Sequence, residues 1–145
     1  MVVKDVVENP SIVAGGGSPE AYLAAEVNDW SSSSEGREQL AIRQYAEAFE
    51  SIPLTIAENA GMDPIDTIIT LRANQSSGKQ TMGINAKESK IGNMFSLDIV
   101  EPLVVKEQII KSATEAACMI LRIDDVIAVS GGPSGGGPPG MPPMG

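Results

Sequence analysis

The chain has 145 residues, 19 acidic against 10 basic side chains, no histidine and a net charge of −9. That balance argues against a nucleic-acid partner, since phosphate recognition needs clustered Lys and Arg, and the lack of imidazole with one thiol argues against zinc. The length suits one domain with a real core. Only 3% of residues are aromatic, so aliphatic side chains must fill that core, and the abundance of Ala, Ile, Leu and Glu favours a mainly α fold. A single cysteine, Cys118, excludes an intrachain disulfide and fits a reducing, cytoplasmic setting. It lies in the apolar run Ala116, Ala117, Cys118, Met119, Ile120, Leu121 and reads as a small buried hydrophobe. No apolar run is long enough to span a bilayer, and no signal-peptide core opens the chain.

Residues 2–8 carry apolar side chains at helical spacing up to Pro10, and with no cap before Val2 they read as the end of a helix begun upstream. The triple glycine Gly15, Gly16, Gly17 follows, and fits either a tight turn into a helix or close approach of backbone to a ligand. Ser18, Pro19 and Glu20 then start a helix, with Ser18 as N-cap, proline at the first helical position and an acid in the first turn. That helix continues over 21–30 and breaks at the serines 31–34. The next spans 35–50 and packs antiparallel to it, with Leu40, Tyr45, Ala48 and Phe49 as its inward positions. Pro53 restarts a shorter helix ending at Gly61, which is suited to the left-handed C′ conformation. Asp63 caps another helix, with Pro64 at its first turn and Asp66 near the free amides.

Residues 74–79 read as a loop, and 81–86 as a short strand that Ile91 answers in a small hairpin. Pro102 ends the segment Ile99, Val100, Glu101. A long helix then runs over 105–123, with apolar positions Ile109, Ile110, Ala113, Ala116, Ala117 and Ile120. Asp124 and Asp125 read as a solvated helix end, because adjacent helical residues converge poorly on one ion. Residues 126–129 read as a strand whose edge seeks a partner, within the chain or outside it. Residues 131–145 contain only Gly, Pro, Ser and Met, the composition of a disordered tail. The domain is thus expected over 1–130 and the tail over 131–145.

Gly83, Ile84, Asn85, Ala86 and then Glu101, taken with the triple glycine, look like half of a nucleotide pocket. Glycine lets backbone come close to a ligand, Asn85 offers a donor and an acceptor to a base edge, and Glu101 can accept from two sugar hydroxyls. Nothing in the chain is obviously placed to hydrolyse a substrate. Glu38, Glu47, Glu50, Glu58 and Glu115 sit on helices with apolar opposite faces and read as solvated or interface charge.

The ordered series of residues 13–17, 36–42, 52–66, 83–85, 100–102 and 112–125 resembles the C-terminal part of the equatorial domain of a group II chaperonin, the archaeal thermosome type. The resemblance implies a mainly α, equatorial-domain-like helical bundle with a small β-hairpin and a C-terminal strand that joins a neighbouring subunit. It implies a subunit of a double ring that binds ATP or ADP with Mg and assists the folding of other proteins. Its partners would be other chaperonin subunits and, through the complete particle, unfolded proteins, with neither nucleic acid nor membrane. Carried over by motif, Gly15, Gly16 and Gly17 contact the ribose and adenine side, Asn85 and Ala86 flank adenine, Glu101 holds the ribose hydroxyls, and Gly83 belongs to the same nucleotide-binding set. The family's phosphate loop, metal-coordinating aspartate and water-positioning aspartate have no counterparts in these residues. The expectation is therefore nucleotide recognition without hydrolysis, with no catalytic residue and no protein-held metal, and the alternative is a catalytically inactive assembly module.

Overall fold

A computed structural model describes residues 11–130, with side chains through residue 123. The helix expected at 2–8 and the tail expected at 131–145 lie outside the described residues. The chain divides between Lys106 and Glu107 into two units. The first holds strand β1 (Ile12–Ala14), helices α1 (Ser18–Ser31), α2 (Gly36–Asn59) and α3 (Pro64–Ser76), strands β2 (Met82–Asn85) and β3 (Lys90–Asn93), a 3-10 turn (Phe95–Leu97) and strand β4 (Val100–Pro102). Helix α4 (Leu103–Ser130) starts in the first unit and runs through the second. The fold is mainly α, as expected.

The core of the first unit forms where α1, α3 and the hairpin meet. Leu71 of α3 is fully buried among Ala21 and Ile68, with Leu54, Met82 and Ile91 packed against them. Polar ties accompany this packing: Ser18 Oγ donates to the Gln80 carbonyl at 2.8 Å, and the buried Gln75 donates from Nε2 to the Ser18 carbonyl at 2.9 Å. Ser18 is therefore not the N-cap. Gly17, left-handed at φ 72°, caps α1 without a side-chain bond, which releases the Ser18 hydroxyl to bond the Gln80 carbonyl 62 positions away and tie the start of α1 to the segment before β2.

Two expected helices are one. Helix α2 runs without interruption from Gly36 to Asn59 with Pro53 inside it. Proline removes one helical hydrogen bond and crowds the preceding turn, but Pro53 is buried in contact range of Gly17, so tertiary packing outweighs the local defect. A methyl at Gly17 would lie 2.9 Å from Pro53 Cβ and 3.4 Å from Ile56 Cδ1. The start of α1 thus meets the end of α2, and the two run antiparallel. The inward stripe of α2 is Ala46, Pro53 and Ala57, not Leu40, Tyr45, Ala48 and Phe49. Small side chains let α1 approach closely, whereas Leu40 is 62% exposed, Tyr45 and Ala48 are exposed too, and Phe49 is only half-buried, its ring edge-on to Tyr45 at 5.0 Å.

Helix α3 begins as expected. Asp63 accepts from the Asp66 amide at 2.9 Å, Pro64 opens the helix, and Gly61 before it adopts φ 71°. An Arg72 to Glu50 ion pair ties α3 to α2, which gives Glu50 an interhelical role. The helix extends to Ser76, into the segment expected to be loop. Asp63→Ala should cost about 1 kcal/mol through the lost cap, read as a lower urea midpoint with unchanged slope; no shift in midpoint would remove the capping role.

The hairpin pairs Gly83 with Gly92 and Asn85 with Lys90, and β1 pairs antiparallel with β4, Val13 opposite Glu101. The C-terminal strand expected at 126–129 is a continuation of α4. A strand needs a partner for its backbone groups, whereas a helix satisfies them internally. Cys118 is exposed, contrary to its apolar setting in the sequence, and Met119, Ile120, Leu121 and Ile123 are exposed with it. A single helix cannot bury its own side chains; burial needs an opposing layer. No helix among the described residues is long and apolar enough to cross a membrane.

Candidate nucleotide site

The triple glycine leaves β1 and threads between β4 and β2. Gly15 N donates to the Ile99 carbonyl at 2.9 Å, extending the ladder one step beyond Ala14, and Ser18 N closes the turn on the Gly15 carbonyl at 3.2 Å. Ile84 N then donates to the Gly16 carbonyl at 2.8 Å, which fastens the turn to the hairpin. Gly16 and Gly17 have φ of 64° and 72°, a region open to glycine at little cost.

Space makes the same demand. A methyl at Gly16 would lie 2.6 Å from the Ile84 carbonyl oxygen and 2.7 Å from Met94 Sδ, and one at Gly83 would lie 2.6 Å from the Gly15 carbonyl oxygen. A methyl at Gly15 would meet the Ile99 side chain at 2.9 Å. The tight-turn alternative therefore explains every one of these glycines without a ligand. Met94, fully buried at their centre, carries no sequence signal for this role.

The structure brings Gly15, Gly16, Gly83 and Glu101 to one place. Glu101 Oε1 sits 3.4 Å from the position a Gly15 Cβ would take, and Gly17 faces away toward α2. Asn85, two residues beyond Gly83, is buried and spends its amide on its own turn: Oδ1 accepts from Lys87 N at 3.1 Å and Nδ2 donates to Glu88 Oε2 at 3.3 Å. Its side chain is thus held by the hairpin, and the exposed Ala86 follows it.

Two residues that the sequence reading passed over complete the site. Lys106 Nζ lies 2.7 Å from Glu101 Oε2 and 2.5 Å from Glu20 Oε1, with the Glu20 and Lys106 side chains almost out of solvent and Glu101 more open. Burial alone pulls the Lys106 ammonium toward neutrality, but the hydrogen bonds it donates to Glu101 and Glu20, with their charges, more than reverse it and raise its pKa. In the sequence Glu20 has only the signature of a first-turn acid, and nothing there links it to Lys106 across 86 positions.

Two carboxylates and one ammonium sum to −1 at neutral pH. A partly open carboxylate oxygen over a glycine turn accepts from neutral hydroxyls and disfavours a phosphate. The chemistry of this acceptor set suits neutral hydroxyls, such as those of a sugar, better than a phosphate.

The sequence of residues 1–130 matches the TCP-1/cpn60 chaperonin family. The chain belongs to that family. Among its relatives, it is 50% identical over 127 residues to a thermosome subunit of Methanopyrus kandleri, covering 88% of this chain and 23% of that protein. It is 48% identical over 139 residues to thermosome subunit alpha of Archaeoglobus fulgidus, covering 96% of this chain and 26% of the relative. A solved structure, the open-state monomer of a group II chaperonin from Methanococcoides burtonii, superposes with a TM-score of 0.74 at 44% identity, over 77% of this chain and 28% of that one. The chain spans about a quarter of the length of the relatives it matches.

Proposed function

We propose that this chain is the adenine- and ribose-reading part of the equatorial domain of a group II chaperonin subunit, one that binds ATP with Mg, assembles into a double ring and assists the folding of other proteins. Family membership supports the chaperonin role, and the placement of Glu101 Oε1 over Gly15 carries the site. Glu101 accepts from the ribose hydroxyls, and the backbone of Gly15, Gly16, Gly83 and Ala86, with Asn85 holding its turn, flanks the base. ATP, when bound, supplies the phosphoryl group whose transfer drives the particle's cycle. Stabilising that transfer takes a metal ion and positioned charge around the phosphates, so these 145 residues alone hold nucleotide without hydrolysing it.

Calorimetric titration tests this. Adenosine and ATP should bind the chain with affinities within about threefold of each other, and Glu101→Gln should weaken both about tenfold, the size of one charge-assisted hydrogen bond. No heat with either ligand, or ATP bound far more tightly than adenosine, would overturn the reading.

A second reading, an assembly module without catalysis, draws on the exposed Ile109, Met119, Ile120, Leu121 and Ile123 of α4. Apolar exposure of this kind marks interaction surfaces. Light scattering that finds only monomer at all concentrations would dispose of it.

A further inference from the structure

The ion pairs of Lys106 divide the two oxygens of Glu101 between different tasks. Lys106 takes Oε2 at 2.7 Å, while Oε1 stands over the glycine turn, 3.4 Å from where a Gly15 Cβ would be. Lys106 is itself fixed on its other side by Glu20 Oε1 at 2.5 Å, and Glu20 lies in the first turn of α1, three residues after Gly17. The clamp thus spans the glycine turn, joining the strand that precedes α4 to the helix that follows the turn. The anchoring end is the more enclosed: Glu20 is 4% exposed, and its Oε2 has no hydrogen-bond partner among the described residues. A long lysine stem normally moves among many rotamers and loses that freedom only when held at its head. Here two carboxylates hold the head, so the carboxylate plane of Glu101 is set in advance of any ligand.

The geometry points to Lys106, anchored by Glu20, as the positioning residue that makes Glu101 a selective acceptor for ribose hydroxyls. This rests on the reading of Glu101 as the sugar ligand. Without the clamp, Glu101 is a freely turning carboxylate in a half-open position, and an unfixed acceptor pays an ordering cost for every sugar it holds. Lys106 touches no nucleotide in this scheme. It decides how well the ribonucleoside is told from a deoxy analogue.

The test is nuclear magnetic resonance titration of the full chain with adenosine and with 2′,3′-dideoxyadenosine. The unaltered chain should prefer adenosine by about tenfold. Lys106→Met strands the buried Glu20 charge and can unfold the chain, so the measured variant is the double substitution Glu20→Gln with Lys106→Met, its fold checked by circular dichroism. Its preference should fall to about twofold, with the dideoxy analogue bound as before, and Lys106→Arg should restore at least half of the lost discrimination. A folded double variant that keeps the full preference overturns the positioning role and leaves the Glu101 reading intact. An unaltered chain with no preference, or a Glu101→Gln variant that keeps it, overturns both.

Discussion

Gly16→Ala should be among the most damaging single substitutions in the chain. Alanine at φ 64° bears the left-handed penalty of roughly 1–2 kcal/mol, and its methyl would enter within 3.0 Å of the Ile84 carbonyl oxygen, the Ile84 nitrogen and Met94 Sδ. Met94 can turn aside, but the β2 backbone cannot move without breaking the bond from Ile84 N to the Gly16 carbonyl. Overpacking of this kind adds roughly 1–3 kcal/mol. The total, about 2–5 kcal/mol, is a large fraction of the stability of an ordinary domain. Urea unfolding followed by circular dichroism should show the midpoint collapse. Gly36→Ala serves as the control, because Gly36 has φ 66° but no described residue within 4 Å of its Cβ position; it should cost only the left-handed penalty. Equal losses at the two sites would mean that space at Gly16 is irrelevant and that the described packing of turn on hairpin is wrong.

Lys106→Met should cost about 3–5 kcal/mol, the usual consequence of removing one partner from a buried pair. The loss comes less from the vanished attraction than from Glu20, whose carboxylate is then enclosed without a counter-charge, its Oε2 already unpartnered among the described residues. Adding Glu20→Gln should therefore recover at least half of the stability. The pH behaviour follows from the sign of the shift. Lys106 has its pKa raised above the ordinary lysine value of 10.5, so its stabilising contribution is complete below that value and is lost as the pH climbs through the raised one. Between about pH 6 and 9 the difference between wild type and the double variant Glu20→Gln with Lys106→Met, which carries no stranded carboxylate, should stay constant, and it should shrink only in strong alkali. A difference that already narrows near neutrality would mean that Lys106 is not held as a buried ammonium.

Much of the fold is legible locally because local chemistry decides it. Asp63 three residues before a free amide, with Pro64 next to it, specifies a helix start whatever lies around it, and the structure has that cap. The alternation around Gly83 and Ile91 likewise announces the hairpin that forms. The errors fall where packing overrules local preference. Pro53 reads as a break because proline damages an isolated helix, yet α2 passes through it. The inward stripe of that helix is not its most apolar one, because apolar size says which residues favour burial, not which ones an approaching helix can accommodate. Residues 126–129 have strand-like chemistry but take helix, since strand requires a partner that the described residues do not offer.

Within the candidate site, the residue types and their order point to Gly15, Gly16, Gly17, Gly83, Asn85 and Glu101, because glycine and acceptor side chains are limited in what they do well, whereas Ala86 enters only through the family resemblance. By itself, the sequence determined a mainly α chain, its family and the chemistry offered by its glycine turn and Glu101. Only the tertiary structure decided that the glycines are demanded by the chain's packing on itself, that the Asn85 amide is spent on its own turn, and that Lys106 joins Glu20 to Glu101 across 86 and 5 positions of sequence. The reason is physical: the conformations open to a residue are written in its own covalent structure, whereas a buried ion pair exists only once folding has brought distant charges together and removed the water between them.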